Sequence, residues 1–304
     1  MKKTILLLTA FAGAMIWSGC VKETLSPKEE EPRGTTWTIT VRAEKADGPQ
    51  TKGLEIGDGT EATTTQMKSI WKAGEEVKVY LDGVCIGTLT ATPDGLDAHK
   101  ATLSGDITTT GIVANTTTLT LLTPRESWDY TGQVGKLLLT DDATDSIEKK
   151  FHYTMASNVL VTDVSGNNIT TEDASFLNQQ SIYRLSFKYA ATSINAKSVT
   201  ISGAAGELVQ SQNVTGTAVT KGDISVTLGS ATSDPFFVAL RNGDETNAEA
   251  FTFTVVDNDG VTYRGTKEIP VAAKGNGTFV SMKNTALPQR LDLLLSATEV
   301  TTAL

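Results

Sequence analysis

The sequence predicts an all-β protein built from β-sandwiches, and three observations support this class. Threonine and valine are abundant, and glycine, asparagine and aspartate recur between apolar runs. Apolar and polar residues alternate with a period of two, and no window of a dozen residues has apolar groups at helical spacing. Alternation of this kind buries one face of a strand and leaves the other in water. Many short strands joined by Gly- and Asp-rich turns are typical of sandwiches.

The segment before the first predicted strand has the pattern of a lipoprotein signal. Two lysines are followed by an apolar run over residues 5–17, and Ser18 and Gly19 are the small residues that a signal peptidase requires. The run is too short to span a bilayer. A signal that ends in two small residues and a cysteine is the pattern of a bacterial lipoprotein. We therefore predict a signal peptide over residues 1–19 and acylation of Cys20. Two or three acyl chains would then anchor the protein firmly.

Residues 20–35 are charged, contain proline and offer almost nothing to bury, which predicts a flexible spacer between the lipid and the fold. The start of this spacer, Cys20-Val21-Lys22-Glu23, resembles the Lys-acidic signal that Bacteroidota lipoproteins carry for display on the outer face. The expected location is the outer membrane, lipid-anchored and exposed at the cell surface.

The first sandwich is predicted over residues 36–166. In "TWTITVRAE" the side chains of Trp37, Ile39 and Val41 share one face, and Arg42 ends the strand. In "EEVKVYLDG" the two valines and Leu81 face inward, and the Asp-Gly pair at its end supplies the positive φ of a two-residue hairpin turn into "VCIGTLTAT". Further strands of the first sandwich are predicted at 100–106, 117–123 and 158–164. Those of the second are predicted at 182–189, 197–202, 222–228 and 234–241.

The second sandwich is predicted over residues 167–304. The polar stretch 165–180 lies between two strand runs and is the best candidate for the boundary. A second clear hairpin, "AFTFTVVDNDGVTYRGTKE", turns at an Asp-Gly pair in the same way. The apolar tail 290–304 either pairs within its own domain or is donated to another subunit. Without the signal peptide 285 of the 304 residues remain, which is enough for two domains that each bury a core.

The net charge argues against a nucleic-acid partner, and the cysteine content argues against disulfide bonds within the mature chain. The net charge is -9 and the isoelectric point is near 4.9. Neither value suits a nucleic-acid partner, since binding phosphates requires clustered lysine and arginine. Apart from Cys20 the chain contains only Cys85, so the mature chain is expected to form no intrachain disulfide. We expect Cys85 to pack as a small apolar residue.

The sequence has few residues suited to catalysis or metal binding. His99 and His152 are the only histidines, which leaves little basis for a Ser-His-Asp site, and no zinc motif is present. We therefore predict a protein that is not an enzyme and has no cofactor and no metal. The acidic turn 140–148 contains three aspartates and is either a solvated loop or, if it folds around an ion, a calcium site.

Trp128 and Tyr130, in "PRESWDYTG", permit two interpretations. A loop that exposes both rings could stack on a sugar, which predicts a glycan-binding surface lipoprotein that assists nutrient uptake. Alternatively, one or both rings cover the open end of the sandwich. The first interpretation is the alternative function for the chain.

Several segments resemble the fimbrillin family of Bacteroidales. These segments are a Thr-Lys-Gly-Leu stretch at 51–54, "SIWKAGEEVKVY" at 69–80, "SFLNQQSIYRLSFKY" at 175–189 and the hairpin at 239–268. In the second of them a Trp-x-x-Gly-Glu turn leads into a strand, as it does in the family. In the third, Asn178 or Gln179 stands where a histidine is common, which marks a divergent member.

The resemblance implies two transthyretin-like β-sandwiches in series and a structural or adhesive subunit of a fimbrium. It also implies that an Arg- or Lys-specific protease removes the first strand of a lipid-anchored precursor. A strand from the same or another fimbrial subunit would then fill the groove. The expected partners are such subunits and ligands on host or bacterial surfaces.

Two arginines are candidates for the processing site. Cutting at Arg33, in the spacer, would only free the protein from the lipid. Cutting at Arg42 would take Trp37, Ile39 and Val41 out of the core and expose a groove. Arg42 is therefore the better candidate for a step that leads to assembly.

Overall fold

The computed structural model describes residues 34–45, 55–56, 67–68, 70–96, 98–136, 147–203, 208–241, 249–269 and 279–291. The predicted signal peptide, Cys20, Arg33, the Thr-Lys-Gly-Leu stretch and the acidic turn up to residue 146 lie outside these ranges. So do residues 292–304 of the apolar tail. The predictions for these segments stay predictions.

The described residues confirm the all-β class. A π-helical turn covers Ile147–Phe151, and none of the helices in the described ranges is long and apolar enough to cross a membrane. The strands are, in chain order, β1 Thr35–Lys45, β2 Glu55–Ile56, β3 Met67–Lys68, β4 Glu76–Leu81, β5 Val84–Pro93, β6 Lys100–Thr109, β7 Thr118–Thr123, β8 Ser127–Asp129, β9 Thr154–Ser165, β10 Asn168–Thr171, β11 Ala174–Asn178, β12 Ser181–Tyr189, β13 Thr192–Ser193, β14 Ala196–Gly203, β15 Val209–Asn213, β16 Val219–Lys221, β17 Ile224–Thr232, β18 Phe236–Leu240, β19 Glu249–Asp257, β20 Thr262–Ile269, β21 Phe279–Ala286 and β22 Gln289–Arg290.

The described residues up to Asn178, which we call the first half, contain one eight-stranded sheet that closes on itself. The described residues from Ser181 onward are the second half. The hydrogen-bonded order is β10-β1-β11-β9-β7-β4-β5-β6, and β1 also pairs with β6. The ring is complete because β1 lies between β6 on one side and β10 with β11 on the other. Among the described strands this closure leaves the ring without a free edge.

The interior of this sheet is filled by inward-facing side chains, as the period-two alternation predicts. The buried hydrophobic residues of this first core are Ile39, Val41, Ala43, Trp71, Val77, Val79, Leu89, Ala91, Ala101, Leu103, Ile107, Ile112, Leu119, Leu121, Ala156, Val159, Val161, Ile169, Ala174 and Phe176. The predicted hairpin turn is also observed, with φ values of 50° at Asp82 and 81° at Gly83.

The second half packs two larger sheets against each other. One contains β13, β12, β18 and β21, and the other has the order β17-β14-β19-β20-β22. Rings from facing strands meet between them: the centroids of Tyr183 and Phe251 are 5.7 Å apart, and those of Phe187 and Phe253 are 5.3 Å apart. Every residue of β18 is buried, so this strand is covered on both faces.

The first sheet continues past the boundary that the sequence suggests, and the second core contains residues from before it. The stretch 165–180, expected to be a polar connection, contains β10 and β11, which pair in the first sheet. The second core also includes buried residues from the first half, namely Tyr80, Leu122, Trp128, Tyr130, Ile147, Phe151 and Tyr153. Both cores belong to one compact unit that begins at Gly34. The domain boundary near residue 167 stays a prediction.

Candidate functional site

The candidate site is the first strand and the residues that hold it. Ile39 and Val41 are fully buried, Trp37 is half-buried, and the threonines between them are exposed. The inward set predicted from the alternation is therefore present. The strand does not end at Arg42 as predicted, because it continues to Lys45 and Ala43 and Lys45 are also buried.

Pairing of β1 is continuous on one side and interrupted on the other. Ten register pairs join it to β6, from Thr35 with Thr109 to Glu44 with Lys100. On the opposite side the pairs with β10 end at Thr40, and the pairs with β11 begin at Ala43. Within the described ranges, residues 41 and 42 therefore have a ladder partner on the β6 side only.

Arg42 occupies this interruption. Its side chain is 62% exposed, and one guanidinium nitrogen lies 3.2 Å from a carboxylate oxygen of Asp94. An exposed pair of this kind stabilises a fold by at most about 1 kcal/mol. The arginine head is thus accessible to a protease, and its Cα is in register with Thr102 of β6.

A buried ion pair, which sequence reasoning missed, lies three residues beyond Arg42. The Nζ atom of Lys45 donates a hydrogen bond to the carbonyl oxygen of Ile70 at 2.9 Å and lies 3.2 Å from Oε2 of Glu75. The same nitrogen is 3.8 Å from the ring centroid of Trp71. Thr123 donates from its hydroxyl to Oε1 of Glu75 at 3.2 Å. We call Lys45, Glu75, Trp71 and Thr123 the Lys45 cluster.

The sequence contained a usable signal for this cluster. Lys45 follows Ile39, Val41 and Ala43 at every second position, so the alternation itself points the lysine into the core. A lysine at such a position requires a buried partner, because burying an isolated ammonium group is very costly. The identity of that partner is not readable from the alternation.

The structure corrects the exposure that the glycan hypothesis requires of Trp128 and Tyr130. Their exposed fractions are 1% and 0%, so neither ring has a free face on which a sugar could stack. The reason is that β8 pairs with β15 of the second half, which carries both rings into the second core. No observation on the described residues favours a glycan platform built from these two rings.

Trp128 and Tyr130 instead belong to a polar joint between the halves. The hydroxyl of Tyr130 contacts the carbonyl oxygen of Gln179 at 3.3 Å and Oε1 of Gln180 at 3.2 Å. The guanidinium of Arg241 lies 5.1 Å from the ring centroid of Trp128. Burial raises the pKa of Tyr130 well above its ordinary value, although the nearby guanidinium of Arg241 opposes the rise. The phenol therefore stays neutral well into the alkaline range.

The remaining candidate residues occupy separate places. His152 is buried and His99 is partly buried, which agrees with packed or surface histidines. Among the described residues no group of three or more metal-ligating side chains is found. Cys85 is an exposed free thiol, so the prediction that it packs inside is wrong. It lies at the start of β5, where the hairpin extends beyond the core.

No model of a known protein family matches the chain. No curated protein matches it in sequence either. In structure it is similar to a candidate cell adhesion protein from Bacteroides ovatus ATCC 8483, with a TM-score of 0.36, 14% identity and coverage of 84% of this chain and 96% of that one. A candidate cell adhesion protein from Bacteroides uniformis ATCC 8492 has a TM-score of 0.38, 17% identity and coverage of 77% and 84%. A candidate adhesin from Bacteroides ovatus ATCC 8483 has a TM-score of 0.36, 9% identity and coverage of 82% and 92%. Similarity at this level carries no conclusion about family or function.

Proposed function

We propose that the chain is a non-enzymatic surface lipoprotein, a fimbrillin-like structural or adhesive subunit that assembles by exchange of its first strand. The observation that carries the proposal is the pairing of β1. This strand closes the ring of the first sheet, and its pairing with β10 and β11 is interrupted at Arg42. Cutting after Arg42 would release the part of β1 that lies N-terminal to the interruption.

Removal of residues 35–42 would expose two sheet edges at once. The backbone of β6 would lose most of its ten register pairs, and β10 would lose its parallel partner. The spaces of Ile39 and Val41 in the first core would be empty. Unpaired edges and vacant apolar sites bind an extended strand, since each ladder hydrogen bond stabilises by roughly 0.5–1.5 kcal/mol and buried apolar area adds to this.

The proposed partners follow from the same geometry. The strand that fills the groove comes from another copy of this chain or from a related fimbrial subunit. The precursor is held at the outer membrane through acylated Cys20, and the spacer that follows keeps the fold away from the lipid. Ligands on host or bacterial surfaces would bind the assembled polymer.

Protease treatment of the purified precursor tests the proposal. An Arg-specific protease should release the segment that ends at Arg42, and the remaining chain should form SDS-resistant ladders on a gel. The matched control is Arg42→Lys, which keeps the cation beside Asp94 but removes the cleavage site. An additional Arg33→Lys substitution separates spacer cleavage from strand removal. A chain that stays monomeric after clean loss of residues 34–42 would refute assembly by strand exchange.

A further inference from the structure

The Lys45 cluster places two opposite charges inside the first core. The side chain of Lys45 is 1% exposed and that of Glu75 is 5% exposed. Removing two charges from water is costly, and a buried pair often stabilises a fold no more than apolar residues of the same size would. Such pairs are best attested as devices that fix one register of a structure.

The cluster acts on the three residues of β1 that follow Arg42. Ala43, Glu44 and Lys45 pair with β11, and the first two also pair with β6. The backbone N–H of Lys45 donates to the carbonyl oxygen of His99 at 3.0 Å. The residues on the other side of Arg42 have no comparable buried charge, because their inward side chains are Trp37, Ile39 and Val41.

We propose that the Lys45 cluster keeps residues 43–45 in the sheet as a fixed stub after cleavage at Arg42, and that this stub sets the register of the incoming strand. The inference rests on the proposed function, since it concerns the same groove. It adds a division of β1 into a removable part, residues 35–42, and a retained part, residues 43–45.

A fixed stub matters because register decides which side chains enter the core. A slip of one residue would turn every side chain of the incoming strand to the opposite face. A strand that abuts Ala43 and runs antiparallel to β6 places its last-but-one residue at the site of Val41, opposite Leu103. Its fourth residue from the end then occupies the site of Ile39, beside Gly105 and Ile169.

The stub therefore specifies the kind of partner that the groove accepts. It is an extended segment of about eight residues, matching the removed stretch 35–42, with apolar residues at the two core positions and small polar residues between them. Residues two positions apart share a face of a strand. Peptide TTWTITVR, the sequence of residues 35–42, meets these requirements and serves as the probe.

Hydrogen exchange on the full chain and on the chain cut at Arg42 tests the inference. Three proteins are compared: wild type, Lys45→Met/Glu75→Gln, and Lys100→Met. The last is the matched control, because Lys100 forms an exposed ion pair with Glu44 at 3.4 Å on the same segment. The double variant removes both buried charges, which avoids a lone buried carboxylate that would endanger folding.

In the uncut wild type we expect the amides of residues 36–40 to exchange by local opening and those of residues 43–45 to exchange only with global unfolding. After the cut, Ala43 is the N-terminal residue and has no amide, and the amides of Glu44 and Lys45 should stay protected in wild type and in Lys100→Met. In the double variant their exchange should be on the order of 10- to 100-fold faster, because methionine cannot donate to the carbonyl oxygen of Ile70 and this acceptor loses its partner. Peptide TTWTITVR should bind the cut wild type in a single register, measured by crosslinking, and the cut double variant in several.

Equal exchange of the amides of Glu44 and Lys45 in the cut wild type and the cut double variant would overturn the inference. Equal opening of residues 36–40 and 43–45 in the uncut wild type would do the same. These outcomes are separate from failure of the proposed function, which is read from ladders on a gel. A protected stub without ladders would refute only strand-exchange assembly, and ladders formed by a chain with an unprotected stub would refute only the role of the cluster.

Discussion

Substituting Gln133 with alanine should destabilise the protein strongly. Its side chain forms hydrogen bonds with both backbone groups of Ala239 in β18, as a neighbouring strand would. Its Nε2 donates to the carbonyl oxygens of Ala239 and Tyr130 at 2.7 Å and 2.9 Å. Its Oε1 accepts from the N–H of Ala239 at 2.8 Å. Gln133 is 2% exposed and Ala239 is 0% exposed, so bulk water does not reach these groups in the folded chain.

The magnitude follows from the groups that alanine would leave behind. Truncation orphans the N–H and the carbonyl of Ala239, and an orphaned buried group costs about 1–3 kcal/mol. The two groups of Ala239 alone give a loss of about 4 kcal/mol in the free energy of unfolding, at the upper end of single substitutions, and the lost bond to the carbonyl of Tyr130 adds to it. The matched control is Gln210→Ala, where one exposed hydrogen bond to the carbonyl of Asp223 is lost. Its cost should stay below about 1 kcal/mol.

Urea unfolding followed by far-UV circular dichroism and tryptophan fluorescence measures both variants. We expect the unfolding curves from the two probes to shift together for Gln133→Ala, because Gln133 links Tyr130 of the first half to Ala239 of the second. A loss no larger than that of Gln210→Ala would refute the reasoning. It would mean that water enters the space and satisfies Ala239, so that Gln133 is dispensable.

Three further predictions concern alkaline stability, strand spacing and an exposed leucine. The folded state raises the pKa of Tyr130, so its contribution is fully present below pH 10 and is lost as pH rises through the folded pKa. Tyr130→Phe should remove this loss, and the stability difference from wild type measured by urea unfolding should shrink by about 1 kcal/mol from pH 10 to pH 11; a constant difference would contradict it. Gly105→Ala should cost at least about 1 kcal/mol, because its Cβ would lie 2.5 Å from the carbonyl oxygen of Thr88, whereas Gly111→Ala meets nothing within 4 Å and should be nearly neutral in thermal melts; equal melting temperatures would refute the close approach. Leu96 is 99% exposed, so Leu96→Ser should change the free energy of unfolding by less than about 0.5 kcal/mol, and a larger loss would show that the side chain is covered.

Much of the secondary structure was predictable because strand alternation is local. The inward positions of β1, β4 and the β19–β20 hairpin follow from residues two positions apart, and the burial of Ile39, Val41 and Phe253 agrees with them. The Asp-Gly turn at Asp82 was readable for the same reason, since its backbone requirement involves only two residues.

The candidate site was predictable only in part. The inward triad of β1 and an arginine beside it were visible in the sequence. The interruption of pairing at Arg42 was not, because it depends on where β10 ends and β11 begins. Glu75 could not be named as the partner of Lys45, because a turn and a strand thirty residues apart meet only in the folded sheet. The sequence could not decide whether Trp128 is exposed or covered, because its burial depends on the pairing of a three-residue strand with a strand of the other half.

The sequence by itself determined the all-β class and the face that each long strand turns to the core, because these depend on the period of neighbouring side chains. Tertiary structure alone decided that the first sheet closes, since β1 pairs Thr38 with both Asp106 and Asn168. It also decided that Lys45 and Tyr130 are buried. Pairing between distant segments sets both outcomes, and no local pattern encodes which distant segments pair.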